Sequence, residues 1–288
     1  MPLQLHQNIN LLSLLVVGSF VANIYLDWES IVLILLYTFL VEHILLYFNK
    51  NRGFYLSYAS LSTAVGVIVL MYSEKLWIYG IVIGLGLLQK HLLTIEKRHL
   101  FNPSNFALIM ALLFFYHDAH IISGQFGDEL WLSLVVSLLA IIILIRVDRW
   151  MIPLVFMIGY LLFEYFWVCS YDPVLKFEDI YHRFYGVSSV LFVYFMLTDP
   201  PVTPNRLEYQ MIFGLLIALI ATLLDRWYGF RIQHLFMAVF LLSPLEVILS
   251  VKIPWSKRWR YLAILMVAVV AILWVIEQQP PYYFEMNG

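Results

Sequence analysis

The residues of this chain that are able to do chemistry stand where hydrocarbon should be. Asp199 follows Thr198 at the point where an apolar run, 183–197, stops against Pro200 and Pro201 in FMLTDPPVTPNR, residues 195–206. Proline disfavours helical geometry at the residue before it, and neither proline has an N–H to continue the ladder. The Asp199 carboxylate is thus expected at a helix C-terminus, whose partial negative charge disfavours it by about 0.3–1 kcal/mol. Arg206, a residue from another loop or a bound group must compensate it. Asn205 then offers an N-cap for the next helix, with Glu208 placed to complete a capping box. A second break reads Arg98-His99-Leu100-Phe101-Asn102-Pro103-Ser104-Asn105. Asn102 is the expected N-cap and Pro103 the first helical residue. Free N–H groups there, with Lys97 and Arg98 nearby, favour an anion or an electron-rich carbonyl. A plain helix start beside lipid headgroups is the simpler alternative.

Charged side chains inside apolar segments form the next set, because each is costly in hydrocarbon. Glu164 falls near the middle of its segment, Glu42 and His43 lie in the second, and Glu246 lies near the inner end of the tenth. Arg231 and His234 lie near the outer mouth of that same segment. Glu164, Glu42, His43 and His234 are candidates for a proton or cation path. The alternative is a set of carboxyls hydrogen-bonded to neighbouring helices. Among the eight histidines only His43 is well inside a segment, so no haem is expected, since bis-histidine ligation needs two facing each other. His117 and His120 with Asp118 have the makings of a metal site, against the simpler reading of a solvated loop. The single cysteine, Cys169, excludes an internal disulfide. There is no GxGxxG, no phosphate loop and no nucleophile–base pair. A net charge of −2 gives no sign of a nucleic-acid partner.

The elements that must position these residues are membrane helices. About 62% of the 288 residues are apolar and 12% charged, far from soluble norms. Apolar runs recur without the alternation of barrel strands, so the fold class is all-α, a polytopic membrane protein in the lipid bilayer. Spans are expected at 8–25, 29–48, 54–72, 76–93, 103–116, 129–146, 152–170, 183–198, 207–224, 232–250 and 261–276. The segment 1–25 reads as a retained first span rather than a cleaved signal. Twelve of the 17 lysines and arginines fall in one set of alternate loops. The positive-inside rule then puts the N-terminus and both proline breaks on the cytoplasmic side. Tryptophans near span ends fit an interfacial belt. The whole chain, 1–288, reads as one integral domain. Residues 105–113 and 234–242 are faintly alike and enter from opposite sides, as an inverted repeat of five plus five helices, about 8–116 and 129–250, requires. The helix at 261–276 is extra.

HLFNPSNFALIMALL, residues 99–113, resembles the FNP segment of the RnfD membrane protein of the Rnf electron-transport complex, a segment shared by its counterpart in the sodium-pumping NADH:quinone reductase. FMLTDPPVTPNR resembles the F-x-x-TDP-V-T segment of that family, and GFRIQHLFMAVFLLSPLEVI, residues 229–248, its later helix. The likeness covers 93–113 and 185–253. It implies a ten-helix inverted-repeat fold similar to urea and ammonium channels. It also implies a bacterial inner-membrane protein, partnered by other membrane subunits of a complex that moves electrons through flavins, coupled to Na⁺ or H⁺. In that family a threonine of an S-x-A-T motif carries a covalent FMN. Here the matching loop reads HDAHIISGQFGDE, 117–129, and Ser123-Gly124-Gln125-Phe126 has no threonine, so covalent FMN is not expected. The resemblance instead points to a non-covalent flavin, riboflavin or FMN, or a quinone between the two breaks. Arg98, Asn102, Asn105, Thr198, Asp199 and Arg206 are then its candidate contacts. A small-solute or ion channel, and a scaffold without redox chemistry, are the competing functions.

Overall fold

A chain with no water beside it must bond its own backbone, and the computed structural model does so almost entirely with helices. It describes residues 9, 11–13, 15, 16, 19, 20, 24–49, 57–96, 98–122, 130–170, 175–251 and 255–280. The first expected span, 8–25, is therefore described only in part, and the Ser123–Phe126 tetrapeptide lies outside the described residues. The helices that follow are α1 (Trp28–Asn49), α2 (Ala59–Leu70), α3 (Leu76–Leu92), α4 (Pro103–Phe114), α5 (Leu130–Val147) and α6 (Met151–Glu164). Then come α7 (Phe177–His182), α8 (Val187–Leu191), α9 (Leu207–Tyr228), α10 (Gln233–Ser250) and α11 (Trp255–Glu277). α6 runs on through a π-turn, Tyr165–Cys169, and α8 through another, Phe192–Met196. Six of the described helices are long and apolar enough to cross a membrane. The expected span 183–198 starts later than read, with a 3₁₀ turn, Arg183–Tyr185, before α8.

Two-residue strands tie loops together. β1 (Met71–Tyr72) pairs with β4 (His120–Ile121), and β2 (Thr94–Ile95) with β3 (Arg98–His99), both antiparallel. The inter-loop contacts respect the alternation read from the sequence. Lys75 pairs with Asp118 on one side, while Arg98 meets Glu246 and Arg149 meets Thr203 on the other.

The centre of the molecule is α4 against α10. Of α10, 67% is buried, against 28% of α1, 33% of α5 and 22% of α11, whose apolar faces meet lipid. Phe101 stacks on Phe240 with ring centroids 4.6 Å apart, and the Asn105 amide donates to the Phe236 carbonyl at 3.1 Å. Arg98 meanwhile reaches Ser250. The stretch from Arg98 to Asn105 thus climbs beside α10 from its inner end to its second turn. α4 consequently begins about 15 Å above that end, at the depth of Phe240. Its 12 residues span about 18 Å, against the ~30 Å of a bilayer core. It is a half-helix, and α8 with its π-turn ends at its side.

Close approach of α3 to the start of α4 needs a missing side chain. A Cβ on Gly86 would stand 2.5 Å from the Pro103 carbonyl oxygen, whereas one on Gly80 meets only the Tyr37 ring at 3.8 Å. We expect Gly86→Ala to lower stability by about 1–3 kcal/mol through overpacking, with Gly80→Ala within about 0.5 kcal/mol of the parent. Thermal unfolding of the two variants in one detergent checks this.

Candidate functional site

Both sequence breaks arrive at one place. Asn102 caps α4 as expected, its Oδ1 accepting from the Asn105 N–H at 3.0 Å. The same side chain turns its Nδ2 to Asp199 Oδ2 at 2.9 Å, and His99 Nε2 lies 3.2 Å from that oxygen. The compensation Asp199 requires therefore comes from the other loop and from the α4 N-terminus, whose positive end faces it. Arg206 does not supply it. That residue is exposed at the N-cap of α9, with no side-chain capping bond. Thr198 donates back to the Tyr194 carbonyl at 2.5 Å and so closes its own helix end.

Two arginines hold the extended stretches below the junction. Arg98 donates to the Pro201 carbonyl at 2.7 Å, Ser250 Oγ at 2.6 Å, Glu246 Oε2 at 2.8 Å and the Thr203 carbonyl at 3.3 Å. Its fork thereby serves carbonyls that the prolines leave without helical partners. Arg149, only 6% exposed, donates to Thr203 Oγ1 at 3.1 Å and to Asn205 Oδ1. Burial lowers the pKa of Arg149, against the opposing pull of Asp148. The Asn205–Glu208 capping box is not formed, because Arg149 takes the Asn205 oxygen and Arg206 stands at the N-cap instead. A guanidinium there makes a charge-assisted bond, stronger than a neutral cap.

The junction leaves little room. The cavity beside Asn102 and Ser104, walled by Gly66, Leu191, Phe195 and Met196 among others, measures about 40 Å³. That suits a water, not a tricyclic ring. Arg98, Asn102, Thr198 and Asp199 are all engaged with protein partners, and Asn105 keeps one buried oxygen, Oδ1, unpaired. A roomier space lies one step away, in a groove of about 340 Å³ between α9 and α10. Ile212, Phe213, Leu216, Leu242 and Leu245 form its apolar walls, and Glu246 and Ser250, both bound to Arg98, mark its polar end.

The expected ion-path residues do not form one path. Glu42 is buried on the inner side and pairs with Lys90 at 2.8 Å and His91 at 3.1 Å. His43, on the other face of α1, bonds the Phe39 carbonyl at 2.7 Å and accepts from the Ser57 N–H at 3.2 Å. Glu164 and His234 belong to the outer side, and they share a centre that the residue pattern does not announce. Asp225, fully buried, lies 2.6 Å from His234 Nδ1, accepts from the Tyr160 hydroxyl at 2.7 Å and meets Arg183 at 3.2 Å. The apolar run ends at Leu224, which puts Asp225 in a loop by hydropathy, but α9 continues to Tyr228. Among the described residues no group of three or more His, Cys, Asp or Glu is set to hold a metal, and Asp118 pairs with Lys75.

A family model described as the NQR2, RnfD, RnfE family matches residues 89–250, which include both breaks, both arginine clamps and the Asp225 cluster. A search of curated proteins finds no match. If Arg98 anchors the junction, Arg98→Lys, which keeps the charge but loses the fork, should cost about 2–4 kcal/mol. Arg206→Lys should stay within about 0.5 kcal/mol of the parent. Chemical unfolding followed by tryptophan fluorescence distinguishes the two.

Proposed function

We propose that this chain, which belongs to the NQR2, RnfD, RnfE family and so is a membrane subunit of an Rnf/NQR-type electron-transport complex, binds a quinone at the groove between α9 and α10. The observation that carries this reading is the shape and chemistry of that groove. Its walls are apolar and about 340 Å³ of space ends on Glu246 and Ser250, within the size range of small-molecule sites. A quinone has an apolar body and two carbonyl acceptors. Arg98 is the donor at the polar end: four of its five N–H groups hold Pro201, Ser250, Thr203 and Glu246, and the Ser250 hydroxyl, which accepts from it at 2.6 Å, donates to the Val247 carbonyl at 3.2 Å. Negative charge gathered on a reduced ring gains from a guanidinium that four acceptors already hold in place. The groove opens along two membrane helices, so a lipid-soluble carrier reaches it without entering water. In this reading the two breaks form the rigid floor under the site rather than a cofactor cradle. The complex sits in a bacterial inner membrane, with the N-terminus and the groove's polar end on the cytoplasmic side, and ion coupling belongs to the assembly.

The purified protein in detergent should bind a short-chain quinone saturably, and quinone should be found in solvent extracts of the preparation. Leu245→Trp, which fills the groove, should abolish binding and leave the melting temperature within a few degrees. Quinone binding that Leu245→Trp leaves intact, or no binding by the parent, contradicts the reading. Solute flux by the protein alone in liposomes would favour a channel instead.

A further inference from the structure

We propose that Glu164 holds an exchangeable proton in a buried site at the outer side of the membrane, with Asp225 as its fixed charged neighbour. This does not depend on the quinone groove, which lies at the opposite end of α9. Glu164 is 0% exposed and faces Thr222 and Asp225. Neither of its carboxylate oxygens has a donor at full hydrogen-bond geometry among the described residues, and the Thr222 hydroxyl beside it is the one neutral donor within reach.

The neighbouring carboxylate is in the opposite condition. Asp225 receives the Tyr160 hydroxyl at 2.7 Å, the Arg183 guanidinium at 3.2 Å, the Arg231 N–H at 2.9 Å and His234 Nδ1 at 2.6 Å. These come from α6, the 183–185 turn, the α9–α10 turn and α10, so groups from every neighbouring element converge on it. Arg183 also lies 3.5 Å over the Phe230 ring, which fixes it in place. One guanidinium balances one carboxylate. His234 also lies against Asp225, so any charge it carries is spent on that same carboxylate. Glu164 has no ion pair among the described residues, and a buried charge without one takes a proton instead.

The alternative occupant, a metal cation bridging the two acids, meets two obstacles. The lone pairs of Asp225 are already engaged, and Arg183 stands where the cation would. That leaves Glu164 and one hydroxyl, too few ligands for a cation. A proton needs only one of the empty Glu164 oxygens. The site also has a way out. His234 bonds Gln279 at 3.3 Å through its other nitrogen, and Arg231 donates to the Pro280 carbonyl at 2.6 Å, so the cluster continues to the outer loops. The helix widens into its π-turn directly after Glu164, a distortion that is frequent at functional positions. In each exchange the O–H bond breaks and its electron pair stays on the carboxylate, the proton passes to water at the outer face, and a proton or deuteron from that water takes its place on Glu164.

The test is infrared spectroscopy of the full-length protein in lipid nanodiscs at neutral pH. We expect a carboxylic-acid carbonyl band that shifts on transfer to D₂O sooner than the helix amides exchange. The band should disappear in Glu164→Gln and persist in Glu246→Gln. Should Glu164→Gln fail to fold, Glu164→Asp keeps the acid and should move the band. Absence of the acid band, its survival in Glu164→Gln, or a band that stays unshifted after the amides have exchanged would each overturn the proposal. The last result would mark a merely structural acid.

Discussion

Everything in the inner half of this molecule depends on one side chain serving two helix ends. Asn102 caps the α4 half-helix with its oxygen and, through its nitrogen, donates to Asp199 where the neighbouring helix stops. Each requirement alone is ordinary. A half-helix starting deep in a membrane needs its N–H groups satisfied, and a carboxylate beyond a helix C-terminus needs positive potential. Placing the two ends side by side meets both requirements at once. The backbone that then continues to the inner face is extended and proline-rich, and only buried donors can serve its carbonyls. Arg98 serves the Pro201 and Thr203 carbonyls, and Arg149 holds the same stretch through the Thr203 hydroxyl and the Asn205 side chain, which explains two arginines inside an apolar protein.

Much of this was legible from residue types. Asn-Pro at a helix start and Asp-Pro-Pro at a helix end are local signals, written in backbone chemistry that no tertiary context can override. The shortness of α4 and the alternation of loops across the membrane were equally local. What was not legible depended on partners distant in sequence. Asn205 looks like an N-cap until Arg149 arrives from another loop and takes its oxygen. His99 carried no special pattern, yet it completes the Asp199 site. Asp225 was hidden for a different reason. Hydropathy ends a span at the first charge, whereas the helix here runs on because Arg183, Tyr160 and His234 satisfy that charge inside the protein. The π-turns after Glu164 and Leu191 have no signature in apolar sequence.

In the proposed reading the two polar centres divide the molecule by function. The inner one is tight, with space for a water and all but the Asn105 Oδ1 of its junction groups engaged, which suits a rigid support for the groove beside it. The outer one is incomplete at Glu164, and incompleteness in a buried polar cluster is where exchange with solvent becomes possible. α9 and α10 run between them, carrying groove residues at one end and Asp225 and His234 at the other. Membership of an electron-transport family suits such a division, with redox chemistry near one face and proton exchange near the other.

The central contact is tested most directly by a double-mutant cycle on Asn102 and Asp199. Asn102→Ala, Asp199→Ala and the double variant are unfolded under one set of conditions in detergent. The account predicts a coupling of about 1–3 kcal/mol, because either truncation alone already removes the one charge-assisted hydrogen bond that joins the two breaks. Additive losses, with a coupling near zero, would contradict it and separate the two breaks.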